Sequence, residues 1–484
     1  MPLFLLILVA SLLVTAVWLV PRTLEASNSA AEAAMRNQIA TALDNPSRPN
    51  ALWGVFVQNL QTGAVVYSRN AEHSFVPASN QKLVTSAVAL EVFGPDHRFI
   101  TPLHFKGTAV DSVMRGDLIL RGSGDPTFGS TLSGSDPLAT WARGLRDMGV
   151  TRFEGRIIGD ARRMSSEPYA SGWDIDYIAN AHWAQAAGAL SYADNLVTVQ
   201  IAGTRPGNPA DVRMTPHGYV DLRGAINTRS GRGFSPMKVE RTIGTNEIVL
   251  DGSVSASYRG SLRLPIHEPT QFTLHAFAER LRRAGIIVQA DLVDARTLDE
   301  VPSYDDEPIF VHVSPPLLDI LAFVNQRSNN FYAEQVFRAL SASGTSRASA
   351  QRVVSYLQGA GVPTSGLSVR DGSGLSRKNL ITPRTMAGLL AHEYQSEHRD
   401  AFISTLARGG MPSSTMRFRL GGAPVWAKTG TIEHVRGLSG YVTGPGNTPY
   451  SFVLFANQYT GTPAAIGQVQ DEIVNAIING DRRR

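Results

Sequence analysis

Pro77-Ala78-Ser79-Asn80-Gln81-Lys82-Leu83-Val84-Thr85-Ser86-Ala87-Val88-Ala89-Leu90 is the stretch on which the reading of this chain turns. From Leu83 onward it is almost wholly apolar, with Thr85 and Ser86 as small polar breaks. A segment apolar on every side reads as a helix buried at the centre of a domain. Pro77 suits the entry to that helix, and Ser79 stands where an N-cap or first-turn residue would. A capping serine wants Glu or Gln three residues later, because the positive end of the helix dipole favours an anion. Lys82 stands there instead, and a cation in a buried first turn costs stability unless it performs chemistry. Ser and Lys at i and i+3 share one helix face. The helix terminus and burial both push the amine towards its neutral form, which can take the hydroxyl proton of Ser79. On these residues alone, capping and catalysis both stand, since an isolated S-x-x-K is common.

Composition narrows the field. The 484 residues are 43% hydrophobic and 18% charged, the balance of a folded protein, and that length implies two or three domains. A formal net charge of +4, with basic residues scattered, offers no surface for nucleic acid. Of 45 basic residues only five are lysines: Lys82, Lys106, Lys238, Lys378 and Lys428. A guanidinium keeps its proton in a protein whereas an ammonium can lose it. In a chain that uses Arg almost everywhere, Lys82 marks a need for a titratable amine. The absence of cysteine removes disulfides, thiol catalysis and thiolate metal sites together. Leu3 to Val20 is uncharged and nearly all apolar, which reads as an export signal, either a cleaved signal peptide or a retained membrane anchor. Cleavage is the preferred reading, at Ser27-Asn28-Ser29 or Ser29-Ala30-Ala31. Retention would give membrane association through residues 3–20.

Residues 30–44 carry apolar side chains at helical spacing, and 53–57 with 64–67 form two β runs around a glycine turn. Strands are expected at 117–120, 155–159, 286–288, 424–429, 435–443 and 450–457. Helices are expected at 136–148, 272–284, 317–324, 331–340 and 463–479. Between 163 and 265 the pattern is β-rich, with glycines and prolines as punctuation. The chain therefore opens and closes with the same α/β (α+β) texture around a β-rich middle, as one domain interrupted by a large insertion would.

Two further motifs follow in fixed order, Ser328-Asn329-Asn330 and Lys428-Thr429-Gly430-Thr431. Alone, the first is an ordinary cap or turn and the second an ordinary edge strand. Together, S-x-x-K, S-x-N and K-T-G are far more specific, and they suit acyl transfer at a substrate with a terminal carboxylate. Ser79 would attack the carbonyl and neutral Lys82 accept its proton. Ser328 would relay that proton to the leaving amine, and Asn330 would hold Lys82 and the substrate amide. Lys428 would depress the pKa of Lys82 and, with the hydroxyls of Thr429 and Thr431, bind the carboxylate. The backbone N–H groups of Ser79 and Thr431 would form the oxyanion hole. No G-x-S-x-G is present for an α/β-hydrolase elbow. Asp371-Gly372-Ser373-Gly374 has the look of a trypsin-like nucleophile loop but lacks a marked His and Asp upstream. His392-Glu393 lacks the second His of a zinc helix, so no metal is assigned.

The chain resembles the class C low-molecular-mass penicillin-binding proteins, the D-alanyl-D-alanine carboxypeptidases/endopeptidases. The resemblance covers nearly everything after residue 50. It rests on the three motifs and on Gly116-Asp117-Leu118, Gly124-Asp125-Pro126-Thr127, Phe331-Tyr332-Ala333-Glu334 and Asp371-Gly372-Ser373-Gly374-Leu375-Ser376-Arg377. About half of the chain separates Ser79 from Ser328, an interval much shorter in β-lactamases. The resemblance implies a transpeptidase-type domain like that of serine β-lactamases, an antiparallel sheet flanked by helices, interrupted by β-rich insertions. The textures place the catalytic domain at 30–99 and 302–484, an inserted domain at 100–162 and 266–301, and a nested one at 163–265, after the leader 1–29. The implied activity is cleavage of peptidoglycan stem peptides and cross-links outside the cytoplasm through an acyl-enzyme on Ser79. No cofactor is needed and β-lactams would be covalent inhibitors. The catalytic set is Ser79, Lys82, Ser328, Asn330 and Lys428, with Thr429, Gly430 and Thr431 binding substrate. Two other readings remain, a β-lactamase and a non-catalytic cell-wall sensor on the same fold. Against the second stands the intact set, since a pure binder needs no lysine in that first turn. Two departures stand out. Ser413-Ser414-Thr415-Met416 replaces the relatives' Gly-Thr-Leu, and Asn329 stands where many relatives have Asp.

Overall fold

A computed structural model describes residues 30–180, 182–231, 237–300, 303–304 and 306–480. The leader expected at 1–29 lies outside them. Among the described residues no helix is long and apolar enough to cross a membrane. The chain forms two compact units, one of Met1–Asn80, Leu357–Ser368 and Leu380–Arg484, the other of Gln81–Tyr356 and Val369–Asn379.

The first unit is built on a six-stranded antiparallel sheet. Its strands run in the order Ala407–Arg408, Val425–Ile432, Val435–Thr443, Pro449–Asn457, Leu52–Asn59 and Val65–Arg69. The expected hairpin is the last pair, with a register shift between Val57 and Gln58. Pro449–Asn457 lies at the middle of the sheet and is apolar almost without a break, because both faces are covered. Phe452 and Leu454 join Val55, Val57, Met35, Ile39, Ile466 and Ile473 in one core, which takes in helix 30–44 and helix Pro463–Asn479. Phe56, one residue out of phase with Val55 and Val57, faces the other way, where the Arg384 guanidinium lies over its ring. That face is covered by helix Pro383–Gln395, whose Leu390 carbonyl accepts from the Tyr441 hydroxyl at 2.8 Å. Both helices begin Thr-Pro. Thr462 and Thr382 accept from the amides of Ala465 and Thr385, and the proline occupies a position that has no amide to satisfy.

The second unit holds the deciding helix, Gln81–Phe93. Every residue from Gln81 to Leu90 is buried, as its all-round apolarity requires. Helices Leu317–Arg327 and Asn330–Ala339 pack against it. Farther along, a mixed five-stranded sheet runs Ile287–Asp294, Arg152–Asp160, Val113–Arg121, Ile100–Val110 and Phe310–Val313. Helices Pro137–Asp147 and Pro269–Arg283 pack on one another, and the second also packs on this sheet. The β-rich middle forms two small sheets. One is Arg259–Pro265, Leu196–Ala202 and Asp211–Thr215, and the other is built on Met237–Arg241, Glu247–Ser255 and Asp221–Gly224.

Candidate active site

Within the second unit, the site is built around one amine. Lys82 is fully buried, and its Nζ donates to Asn330 Oδ1 at 2.6 Å and to the Ser373 carbonyl at 2.5 Å. Burial pulls this ammonium down from 10.5 to about 7, against the opposing pull of the Asp371 and Glu334 carboxylates. When the amine is neutral it has two N–H bonds and one lone pair. Two fixed acceptors for the N–H bonds therefore fix where the lone pair points.

Both acceptors owe their place to local chain chemistry. Helix Leu317–Arg327 ends at Ser328, whose φ of 59° and ψ of 39° put it in the left-handed region that stops a helix. Asn329 then caps the next helix by accepting from the Tyr332 amide at 2.9 Å. Asn and Asp serve this role about equally, which accounts physically for Asn329 standing where relatives carry Asp. Asn330 opens the helix, and its Nδ2 donates to the Trp183 carbonyl at 2.9 Å, which turns Oδ1 towards Lys82. Ser-x-Asn is thus both the bland cap and a partner of the lysine.

The Ser373 carbonyl belongs to Asp371-Gly372-Ser373-Gly374. Thr85 Oγ1 donates to the Gly372 carbonyl at 2.8 Å, and the Gly372 amide donates to Glu334 Oε2 at 3.0 Å. Glu334 is fully buried and accepts from Arg338 Nε at 3.0 Å, and burial raises its pKa against the counter-pull of that guanidinium. The sequence reading named neither Ser373 nor Glu334 as a site residue.

In the first unit, Ser79 lies in a 3-10 turn, Ala78–Asn80, rather than in the helix proper. Ala78 has a φ of 47° there, and the Asn80 amide donates back to the Pro77 carbonyl at 3.2 Å. The turn is pressed against the strand that carries Lys428. A Cβ on Gly430 would come 2.9 Å from the Ser79 amide nitrogen and 2.7 Å from Asn80 Nδ2, and one on Gly437 would come 2.3 Å from that Nδ2. Only glycines allow this approach, and Gly430 and Gly437 are paired across the strands. Gly430→Ala is therefore expected to push strand and turn apart. It should lower stability by about 1–3 kcal/mol and penicillin acylation by at least about tenfold, read by thermal melt and stopped-flow acylation.

Lys428 is fully buried on that strand, and its Nζ donates to the Thr429 carbonyl at 2.8 Å. Alternation along the strand puts Lys428 and Gly430 on one face, Thr429 and Thr431 on the other. Strand Ala407–Arg408 pairs only with Ala427 and Trp426. Past that point, among the described residues, no strand pairs along the outer edge. Ser413-Ser414-Thr415-Met416 is a tight turn. Ser414 Oγ donates to the Met411 carbonyl and accepts from the Met416 amide, and Met416 is buried.

Comparison with known proteins gives the family and the fold. Residues 35–477 match the D-Ala-D-Ala carboxypeptidase 3 (S13) family. The D-alanyl-D-alanine carboxypeptidase of Actinomadura sp. strain R39 is 34% identical over 461 residues, covering 91% of this chain and 83% of that one. The crystal structure of penicillin binding protein 4 (dacB) from Haemophilus influenzae shares the fold, with a TM-score of 0.76 at 22% identity over 91% of this chain and 98% of that one. Bd3459, a predatory peptidoglycan endopeptidase of Bdellovibrio bacteriovorus, superposes with a TM-score of 0.53 at 16% identity over 90% of this chain and 94% of that one.

Proposed function

Because the chain belongs to the D-Ala-D-Ala carboxypeptidase 3 (S13) family, it is a low-molecular-mass penicillin-binding protein and a serine-type DD-peptidase, and we propose that its acyl-enzyme forms on Ser79. The substrates are peptidoglycan stem peptides and cross-links, and the reaction runs outside the cytoplasm. The observation that carries the residue assignment is the double anchorage of a buried, near-neutral Lys82 by Asn330 and the Ser373 carbonyl.

Ser79 attacks the carbonyl of the penultimate D-alanine, and Lys82 takes the hydroxyl proton. The oxyanion is met by the amides of Ser79 and Thr431, and the proton passes through Ser328 to the leaving amine. As the peptide lies along the strand edge, its terminal carboxylate meets the hydroxyls of Thr429 and Thr431 from one face of the strand and the charge of Lys428 from the other. Water then releases the acyl group. A β-lactam acylates the same serine, and its leaving nitrogen stays tethered by the opened ring. Penicillin binding protein 4 of Haemophilus influenzae has been captured in complex with a β-lactam. The residues between the helices of the set divide into an inserted domain at 100–162 and 266–301 and a nested one at 163–265, and the 3–20 run directs export.

Release of terminal D-alanine from a peptide ending in D-Ala-D-Ala tests the reaction, and cleavage of cross-linked muropeptides tests the endopeptidase side. The rate of acylation should rise with pH through an acid limb near pH 7, since Lys82 is protonated and useless as a base below it. No acid limb between about pH 6 and 8 would contradict the lysine base.

Lys428 separates binding from chemistry. Lys428→Arg keeps a cation and can still pair with a carboxylate, so measurable acylation should remain. Lys428→Ala loses both roles. Its acylation should fall far further, and its acid limb should move upward as Lys82 regains protons. Equal losses in the two variants, with an unmoved limb, would show that Lys428 acts by neither route.

A further inference from the structure

We propose that Asp371, held by Trp173 from the inserted segment, is the positioning residue that fixes the amine of Lys82. The proposal rests on Lys82 being the base, and its test separates the two.

Lys82 Nζ is steered by two acceptors. One is the side chain of Asn330. The other is a main-chain carbonyl, that of Ser373, and a carbonyl goes where its loop puts it. That loop is wrapped around a single carboxylate. Asp371 is fully buried, and its Oδ1 accepts from the Gly374 amide at 2.7 Å and from Asn379 Nδ2 at 2.6 Å. Its Oδ2 accepts from the Ser376 amide at 2.8 Å, from Trp173 Nε1 at 2.8 Å and, more loosely, from Ser373 Oγ at 3.3 Å. A carboxylate has about four acceptor positions, so it is saturated, and every donor but two comes from the loop's own residues 373–376. Those two are Asn379, just downstream, and Trp173, which reaches in from a different part of the chain.

Trp173 is the point at which the insertion reaches the base. It is buried against Ala170, Ala184 and Leu375, and the neighbouring Ser171 carbonyl accepts from Ser376 Oγ at 2.7 Å. The same segment holds the other acceptor as well, since the Trp183 carbonyl receives Asn330 Nδ2. Both groups that orient the lysine are thus tied to residues 171–183, which gives the insertion a direct part in the chemistry.

Asp371 also acts through its charge. Among the described residues of this unit, the charged groups facing Lys82 include Asp371, from the loop, and Glu334, from helix Asn330–Ala339 and paired to Arg338. Helix Leu317–Arg327 reaches the lysine's own helix with the neutral Asn325, which donates to Ser86 Oγ. Asp371 therefore favours the protonated amine while it places the carbonyl that orients the neutral one.

The test is the single-turnover acylation rate by benzylpenicillin against pH, for wild type, Asp371→Asn, Trp173→Phe and Lys82→Arg, with thermal melts alongside. Trp173→Phe keeps an aromatic ring there but removes the N–H together with part of the buried indole, so the melt reads the packing loss and the acid limb reads the lost donor. It should slow acylation by about tenfold and move the acid limb upward, because a carboxylate that has lost a donor attracts the ammonium more strongly. Asp371→Asn removes the charge and turns an NH2 towards donors. It should slow acylation more and move the limb downward by about one pH unit. Opposite shifts of the limb support the proposal, since a merely structural role would slow both variants without moving either limb. If Asp371→Asn fails to fold, Trp173→Phe decides alone. Unmoved limbs, or a Trp173→Phe rate within about twofold of wild type, overturn it. If these occur while Lys82→Arg is inactive, the base assignment stands and only the positioning role falls. If Lys82→Arg acylates normally, both fall.

Discussion

Ser79→Ala should leave a folded protein that neither forms a penicillin adduct nor releases D-alanine. Removing a triad-type nucleophile costs on the order of a millionfold in turnover, because no neighbouring group inherits the attack. The structural cost is small. Ser79 sits in a short turn held by the Asn80 amide and Pro77 carbonyl and by the glycines of the facing strands, none of which uses its hydroxyl. Losing the hydroxyl should cost about 1 kcal/mol, the scale of a capping interaction. Intact-protein mass after penicillin, with a melt as control, reads both halves of the expectation. An adduct on the variant would remove Ser79 from the reaction.

Lys82→Arg is the second large effect. The charge is kept and the length nearly so, yet acylation at neutral pH should fall by roughly a hundredfold to ten-thousandfold, the range that a general base supplies. A guanidinium does not give up its proton in a protein, so no lone pair becomes available. The site is also shaped for an ammonium. Two acceptors, at 2.6 and 2.5 Å, converge on one nitrogen in a fully buried position, where a planar fork has no room. Raising the pH should not rescue the variant, whereas the wild type should gain activity through its acid limb. Rescue at high pH would point to a different base.

These effects trace back to features that differ in how legible they were in the sequence. The helix at Gln81–Phe93 is apolar on every side and is buried along its whole first ten residues, so periodicity alone placed it correctly. The strands Val435–Thr443 and Pro449–Asn457 and the helix Pro463–Asn479 fall where the pattern puts them. Helix Pro383–Gln395 is announced in the sequence only by its starting residues, the Thr382-Pro383 cap and entry. Serines and paired valines dilute the period of helix Ser346–Gly359 and hide it in the sequence. The strands Ile100–Val110 and Phe310–Val313 pair with each other across about two hundred residues, a relation that no local window contains.

The proposed catalytic set is legible as three motifs, since each offers distinctive side chains at fixed spacing. The second partner of Lys82 is not. Ser373 contributes its carbonyl, and a main-chain group carries no side-chain signature. Asp371-Gly372-Ser373-Gly374 drew notice for its serine, whereas in the structure its value lies in the Asp371 carboxylate that folds the loop and the carbonyl that the loop presents. Ser79 departs in a smaller way. It precedes the α-helix in a 3-10 turn, where Ala78 with a φ of 47° breaks the helical course of the backbone.

The most direct test of the account is to quench the protein after brief exposure to benzylpenicillin, digest it and locate the adduct by tandem mass spectrometry. The account predicts one penicilloyl group per chain, on Ser79 and on no other serine, with the label slowly released by water and its formation blocked by a peptide ending in D-Ala-D-Ala. A penicilloyl group on Ser328 or Ser373, or no adduct under conditions where D-alanine is released, would contradict it.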